Sequence, residues 1–151
     1  MKGKGFYTFT EYMKKEERLM SAAMEDYLEM IYRLSKETGF TRINELAQAL
    51  NIKPPSATKM AQKLAELKLI NYEKYNIITL QPRGRKLGRA LIKRHDILEE
   101  FLKILKVPGN LLLEEVEKME HTLSTGTVKR IEFLMKYLKE HSEILENIFS
   151  K

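Results

Sequence analysis

Cysteine is absent from this chain. That excludes disulfides, zinc sites built on thiolates and cysteine nucleophiles, so any bound metal must be held mainly by imidazoles and carboxylates. Long apolar runs are missing too: nothing approaches the roughly 18 to 20 uninterrupted apolar residues of a membrane span, and a soluble chain without membrane contact is expected. The start, Met1-Lys2-Gly3-Lys4-Gly5-Phe6, has the basic character of a signal peptide. Glu11, Lys14, Lys15, Glu16 and Glu17 then stand where its apolar core should be, which predicts a cytoplasmic protein. No phosphate-binding loop, catalytic triad, internal repeat or low-complexity linker is present, so the expectation is a protein that is not an enzyme and has no small-molecule substrate.

What the chain does have is charge, distributed unevenly. Its net charge is +6 over 151 residues. Residues 1–52 carry eight basic and eight acidic side chains, residues 53–95 carry eleven basic and only two acidic (Glu66, Glu73), and residues 96–151 carry eight against eleven. The middle segment is therefore the electrostatic footprint of a phosphate-binding surface, because each neutralised phosphate releases condensed counterions.

Periodicity places that segment in a recognisable order of elements. Thr10 to Lys36 reads as a helix with Met24, Tyr27, Leu28, Ile31 and Leu34 as its apolar stripe, and Thr8 with Glu11 as a capping box. Phe40 to Ile43 looks briefly extended; Asn44 is expected to cap a helix from Glu45 to Leu50 that Asn51 closes. Pro55 suits the first turn of a third helix to about Leu67, with Ala57, Met60, Ala61 and Leu64 inward and Pro55, Ser56, Lys59 and Lys63 outward. Two β-prone runs, Leu69–Tyr75 and Ile77–Leu80, reverse near Asn76 as a wing hairpin. This order is the winged helix-turn-helix pattern, whose third helix enters the major groove of double-stranded DNA. Helices Arg85–Leu105, Leu111–Leu123 (capped by Asn110), Thr127–Lys139 (capped near Ser124) and His141–Phe149 complete the chain. The fold class expected is mainly α: an N-terminal winged helix-turn-helix (21–90) followed by a C-terminal helical metal-binding and dimerisation domain (91–151), with residues 1–20 as an N-terminal extension. The apolar surface of the later helices suggests a homodimer, the usual way to read two half-sites.

Three separated segments carry the donors for hard divalent metals: Met24-Glu25-Asp26-Tyr27-Leu28-Glu29, Lys93-Arg94-His95 and Val116-Glu117-Lys118-Met119-Glu120-His121. On the third, a step of about 100° per residue puts Leu112, Val116, Met119 and Leu123 in one stripe and Glu117, Glu120 and His121 together on its flank. Asp26 and Glu29 are one turn apart on the first helix, and His95 adds a second imidazole. Any one of these groups alone would be ordinary helix surface. Oxygen and imidazole donors without thiols suit Mn²⁺ or Fe²⁺, and Zn²⁺ and Co²⁺ are expected to bind in vitro by the usual affinity order.

These segments, with Pro54-Pro55-Ser56-Ala57-Thr58-Lys59-Met60 and Tyr72-Glu73-Lys74-Tyr75, give the chain from about Ser21 to Lys139 its resemblance to the diphtheria toxin repressor family, and within it to the manganese transport regulator branch. The resemblance implies a binuclear Mn²⁺ site on Asp26, Glu29, His95, Glu117, Glu120 and His121. The iron-responsive branch has Met at the position of Asp26 and Cys at that of Glu117. It further implies a metal-dependent regulator, a repressor of manganese or iron uptake genes acting at a double-stranded DNA operator. Pro55, Ser56, Thr58, Lys59 and Gln62 are expected near bases, and Lys63, Lys74, Arg83 and Arg85 at phosphates. The alternative is a metal-independent winged-helix regulator responding to a small ligand. A di-metal carboxylate enzyme would instead present Glu-x-x-His on two helices.

Overall fold

The computed structural model describes residues 20–150. They divide into two compact units, the first ending at Ile92 and the second beginning at Lys93.

In the first unit, Ser21 stays extended and its hydroxyl accepts from the Met24 amide at 3.2 Å, so helix α1 runs Ala22–Ser35. The expected helix from Thr10 therefore begins later where it can be described. Residues 10–19 of it, and the Thr8–Glu11 capping box, lie outside the described residues. Strand β1 (Thr41–Arg42) leads directly into α2 (Ile43–Leu50). The expected Asn44 cap is corrected: Asn44 lies inside the first turn, and the Glu45 carboxylate accepts from the Arg42 amide (3.1 Å) and the Thr41 hydroxyl (2.9 Å). Thr41 is held by pairing with Ile78, which brings the turn into the helix forward. Asn51 closes α2 in the left-handed conformation, as Asn readily does.

Helix α3 (Pro54–Glu66) starts with two prolines, whose missing N–H groups cost nothing in a first turn. Ala57, Ala61 and Leu64 are fully buried, whereas Met60, expected inward, is half-buried. Strands β2 (Ile70–Glu73) and β3 (Ile77–Leu80) form the antiparallel wing, and β1 adds to the other edge of β3, giving the order β1-β3-β2. Lys74–Asn76 make a single tight turn at the tip. Tyr75 (φ 65°) and Asn76 (φ 60°) are both left-handed, a conformation Asn readily adopts but one that costs an aromatic residue roughly 1–2 kcal/mol. The Tyr72 hydroxyl braces the tip by donating to Asn76 Oδ1 at 2.8 Å. Leu28, Ile31, Leu46, Leu64, Ile70 and Ile78 lie at the centre of the core beneath these elements.

Helix α4 (Pro82–Ile104) begins a turn before the expected Arg85, because proline is tolerated there. The second unit continues with α5 (Gly109–Thr122), α6 (Thr125–Glu140) and α7 (Ser142–Phe149). Asn110 does not cap α5; Pro108 is the residue before it, and Asn110 falls within the first turn. Ser124 caps α6 as expected, accepting from the Thr127 amide at 3.2 Å. Leu98, Leu102, Val116 and Val128 form the core of this unit, with Leu112, Met119 and Leu123 packed against it. No helix among the described residues is long and apolar enough to cross a membrane.

Gly84 lets the first turn of α4 pass directly over Leu69: a Cβ there would lie 1.8 Å from the Leu69 carbonyl oxygen. Gly126, in contrast, has only Ser124 Oγ at 3.9 Å. Gly84→Ala should lower stability by about 1–3 kcal/mol through overpacking. Gly126→Ala should raise it by roughly 0.5–1 kcal/mol through helix propensity. Denaturant unfolding of the two variants checks both signs, and equal midpoints would remove the close approach as their cause.

Candidate metal centre and nucleic-acid interface

The second unit brings three of the six expected ligands together. His95 projects from α4, and Glu120 and His121 from α5. His95 Nδ1 lies 2.7 Å from Glu120 Oε2, and His121 Nε2 lies 3.6 Å from Glu120 Oε1. Each oxygen of one carboxylate therefore faces a different imidazole. The Glu120 side chain is only 5% exposed, and a carboxylate taken so far out of water requires a charged or hydrogen-bonding partner. Elsewhere on α5, the exposed Glu114 pairs with Lys118 at 2.5 Å, and that hydrogen bond holds its carboxyl below the usual range. This contrast separates a solvated acid from one built into a site. Glu117 is exposed, one turn before Glu120.

In the first unit, Asp26 and Glu29 are half-buried one turn apart on α1, and Glu29 accepts from Arg33 at 2.9 Å. Between them, burial pushes the Tyr27 phenol up. Glu25, beside Asp26 on the same helix, is buried.

Sequence reasoning missed Glu99. Its Oε2 lies 3.6 Å from His95 Nε2, and His95, Asp96 and Glu99 offer donor atoms within 4.8 Å of one another. The signal was the i, i+4 spacing of His95 and Glu99 on one helix. All of these donors are carboxylate oxygens and imidazole nitrogens, a set that fits a hard or borderline divalent cation.

The candidate nucleic-acid face lies on α3. Pro55, Ser56, Lys59, Gln62 and Lys63 are exposed and Thr58 is half-buried, on the side opposite Ala57, Ala61 and Leu64. Lys74 is exposed at the wing tip, and Arg83 and Arg85 are exposed in the first turn of α4, where Arg83 Nη1 donates to the Leu67 carbonyl at 3.4 Å.

Two family models match this arrangement. Residues 19–77 match the iron dependent repressor N-terminal DNA binding domain, and residues 81–147 match the iron dependent repressor metal binding and dimerisation domain. The chain belongs to the iron-dependent repressor family. Among its relatives, the HTH-type transcriptional regulator MntR of Geobacillus kaustophilus is 43% identical over 82% of this chain and 88% of its own length. The MntR of Bacillus subtilis is 41% identical over 81% and 86%. Among solved structures, ScaR with bound Zn²⁺ superposes with TM-score 0.65 at 34% identity, and the manganese regulator SloR with 0.66 at 30%. Each alignment covers 76% of this chain but 54% of the other, so the chain spans about half the length of those proteins. The family assignment confirms the resemblance and the mainly α, two-domain fold class. This is an MntR-type, metal-dependent DNA-binding transcriptional regulator of a repressor family, and the metal-independent alternative is set aside.

Lys63→Ala should weaken binding to every duplex alike and reduce the slope of log affinity against log salt by about one. A salt titration with an unchanged slope would remove Lys63 from the phosphate contacts.

Proposed function

We propose that this chain is a cytoplasmic, homodimeric Mn²⁺-dependent repressor of manganese or iron uptake genes. Asp26 and Glu29 of the DNA-binding unit, with His95, Glu117, Glu120 and His121 of the helical unit, would hold a pair of Mn²⁺ ions. The observation that carries this reading is Glu120, buried, with each oxygen turned to a different imidazole in a cysteine-free donor set. Charge supports two ions. Two unit charges about 6 Å apart at an effective dielectric near 20 repel by roughly 2–3 kcal/mol, and two dications would cancel the charge of four gathered carboxylates. Fe²⁺, Zn²⁺ and Co²⁺ are expected to bind the same donors in vitro. Bound metal would supply the positive charge that these carboxylates need.

The protein's own residues do the rest. Asp26 and Glu29 lie on the helix whose Leu28 and Ile31 belong to the core that supports α3, so a constraint on those carboxylates bears on the recognition helix. Pro55, Ser56, Thr58, Lys59 and Gln62 would meet bases while Lys63, Lys74, Arg83 and Arg85 hold phosphates. A homodimer is supported by the large apolar side chains the second unit exposes, among them Leu113, Phe133, Leu134 and Ile148.

Metal-stripped protein should retain a few promoter fragments from sheared genomic DNA only after Mn²⁺ is added. Equal retention with and without Mn²⁺ would defeat the proposal. Glu117→Ala should keep its circular dichroism spectrum yet lose the Mn²⁺ response in a DNA titration; a full response would remove Glu117 from the ligand set. Because coupling is reciprocal, a retained duplex should tighten Mn²⁺ binding by the same factor as Mn²⁺ tightens DNA binding, and calorimetry on both legs of the cycle tests the equality.

A further inference from the structure

Tyr75 is 84% exposed, the most exposed of the large hydrophobic side chains among the described residues. It also occupies a backbone conformation, φ 65° and ψ 25°, that an aromatic residue rarely adopts. Asn76 follows it with φ 60°, so two of the three residues of the reversal are left-handed. Such positions favour Gly or Asn, and glycine at position 75 would remove the strain. No burial of the Tyr75 ring compensates for its conformation. The tip is nonetheless held in place: Glu73 pairs with Ile77 across the hairpin, and the Tyr72 hydroxyl donates to Asn76 Oδ1. A rigid tip thus presents a strained, solvated phenol beside exposed Lys74, on the unit that carries the basic face of α3. Backbone strain at a solvated aromatic residue is a feature that functional contacts retain.

We infer that Tyr75 is a DNA-contact residue of the wing, set against the sugar–phosphate backbone of the duplex that α3 reads. The ring would lie on deoxyribose and the hydroxyl would donate to a phosphate oxygen, a contact that positions the protein without reading sequence. This inference rests on the regulator reading above and adds a neutral aromatic contact to its basic phosphate contacts.

The test uses the full Mn²⁺-loaded chain and a duplex recovered from a random-sequence library by selection on the wild-type protein. Tyr75→Ala keeps the strain and removes the ring; Tyr75→Gly removes both. Both variants should bind the selected duplex about five- to tenfold more weakly, the scale of one lost contact. Their sequence preference and salt slope should match wild type, because a phenol displaces no counterion, whereas Lys74→Ala should lower the slope by about one. Tyr75→Gly should melt no lower than wild type. Affinity within about twofold of wild type for both variants would overturn the inference. So would a lowered melting temperature of Tyr75→Gly, which would make the ring structural. Failure of the wild type to enrich any duplex would sink the regulator reading and this inference together; equal binding by wild type and variants would sink the wing contact alone.

Discussion

A carboxylate withdrawn from water must be balanced by charge or by hydrogen bonds, and in the helical unit this requirement falls on Glu120. Its two oxygens face His95 from α4 and His121 from α5 itself. The apolar residues around it determine where that carboxylate can be: Val116 is buried one turn earlier, and Leu98 is buried three residues after His95. The core packing that joins α4 to α5 thereby also sets the separation of two imidazoles and an acid. On the proposed function, this is the donor group that a dication would meet already desolvated and gathered.

The DNA-binding unit follows a parallel logic with the opposite sign of charge. Small residues on the inner face of α3, Ala57 and Ala61, let the helix pack closely while Ser56, Lys59, Gln62 and Lys63 remain in water. Close packing recurs at Gly84, where α4 passes over the Leu69 carbonyl, and at Gly88, where a Cβ would come within 2.9 Å of Tyr32. Against these closely fitted positions, the wing tip sets a left-handed backbone conformation beneath a solvated aromatic ring.

Much of this was legible beforehand because it depends on local periodicity. The helices of the first unit, the proline start of α3 and the reversal at Asn76 all rest on spacing and turn chemistry that act within a few residues. The errors were at boundaries: Ser21 rather than an earlier residue starts α1, Glu45 rather than Asn44 satisfies the start of α2, and Pro108 precedes α5. In each case a neighbouring contact, such as the pairing of Thr41 with Ile78, decided which of several competent residues took the role.

For the site, the sequence alone determined the donor chemistry, since a chain without cysteine offers no thiolate and must hold a metal mainly by oxygen and imidazole nitrogen, and it placed the basic charge on the segment that became α3, the wing and the first part of α4. It could not tell a solvated acid from a withdrawn one. Glu114, Glu117 and Glu120 are the same residue type at one-turn intervals on one helix, and the tertiary structure buries the last while leaving the other two in water. Burial is a property of what lies opposite a side chain. That opposite surface comes from residues distant in sequence, which is why Glu120's partners, the reach of Glu99 toward His95 and the strain at Tyr75 belong to the tertiary structure.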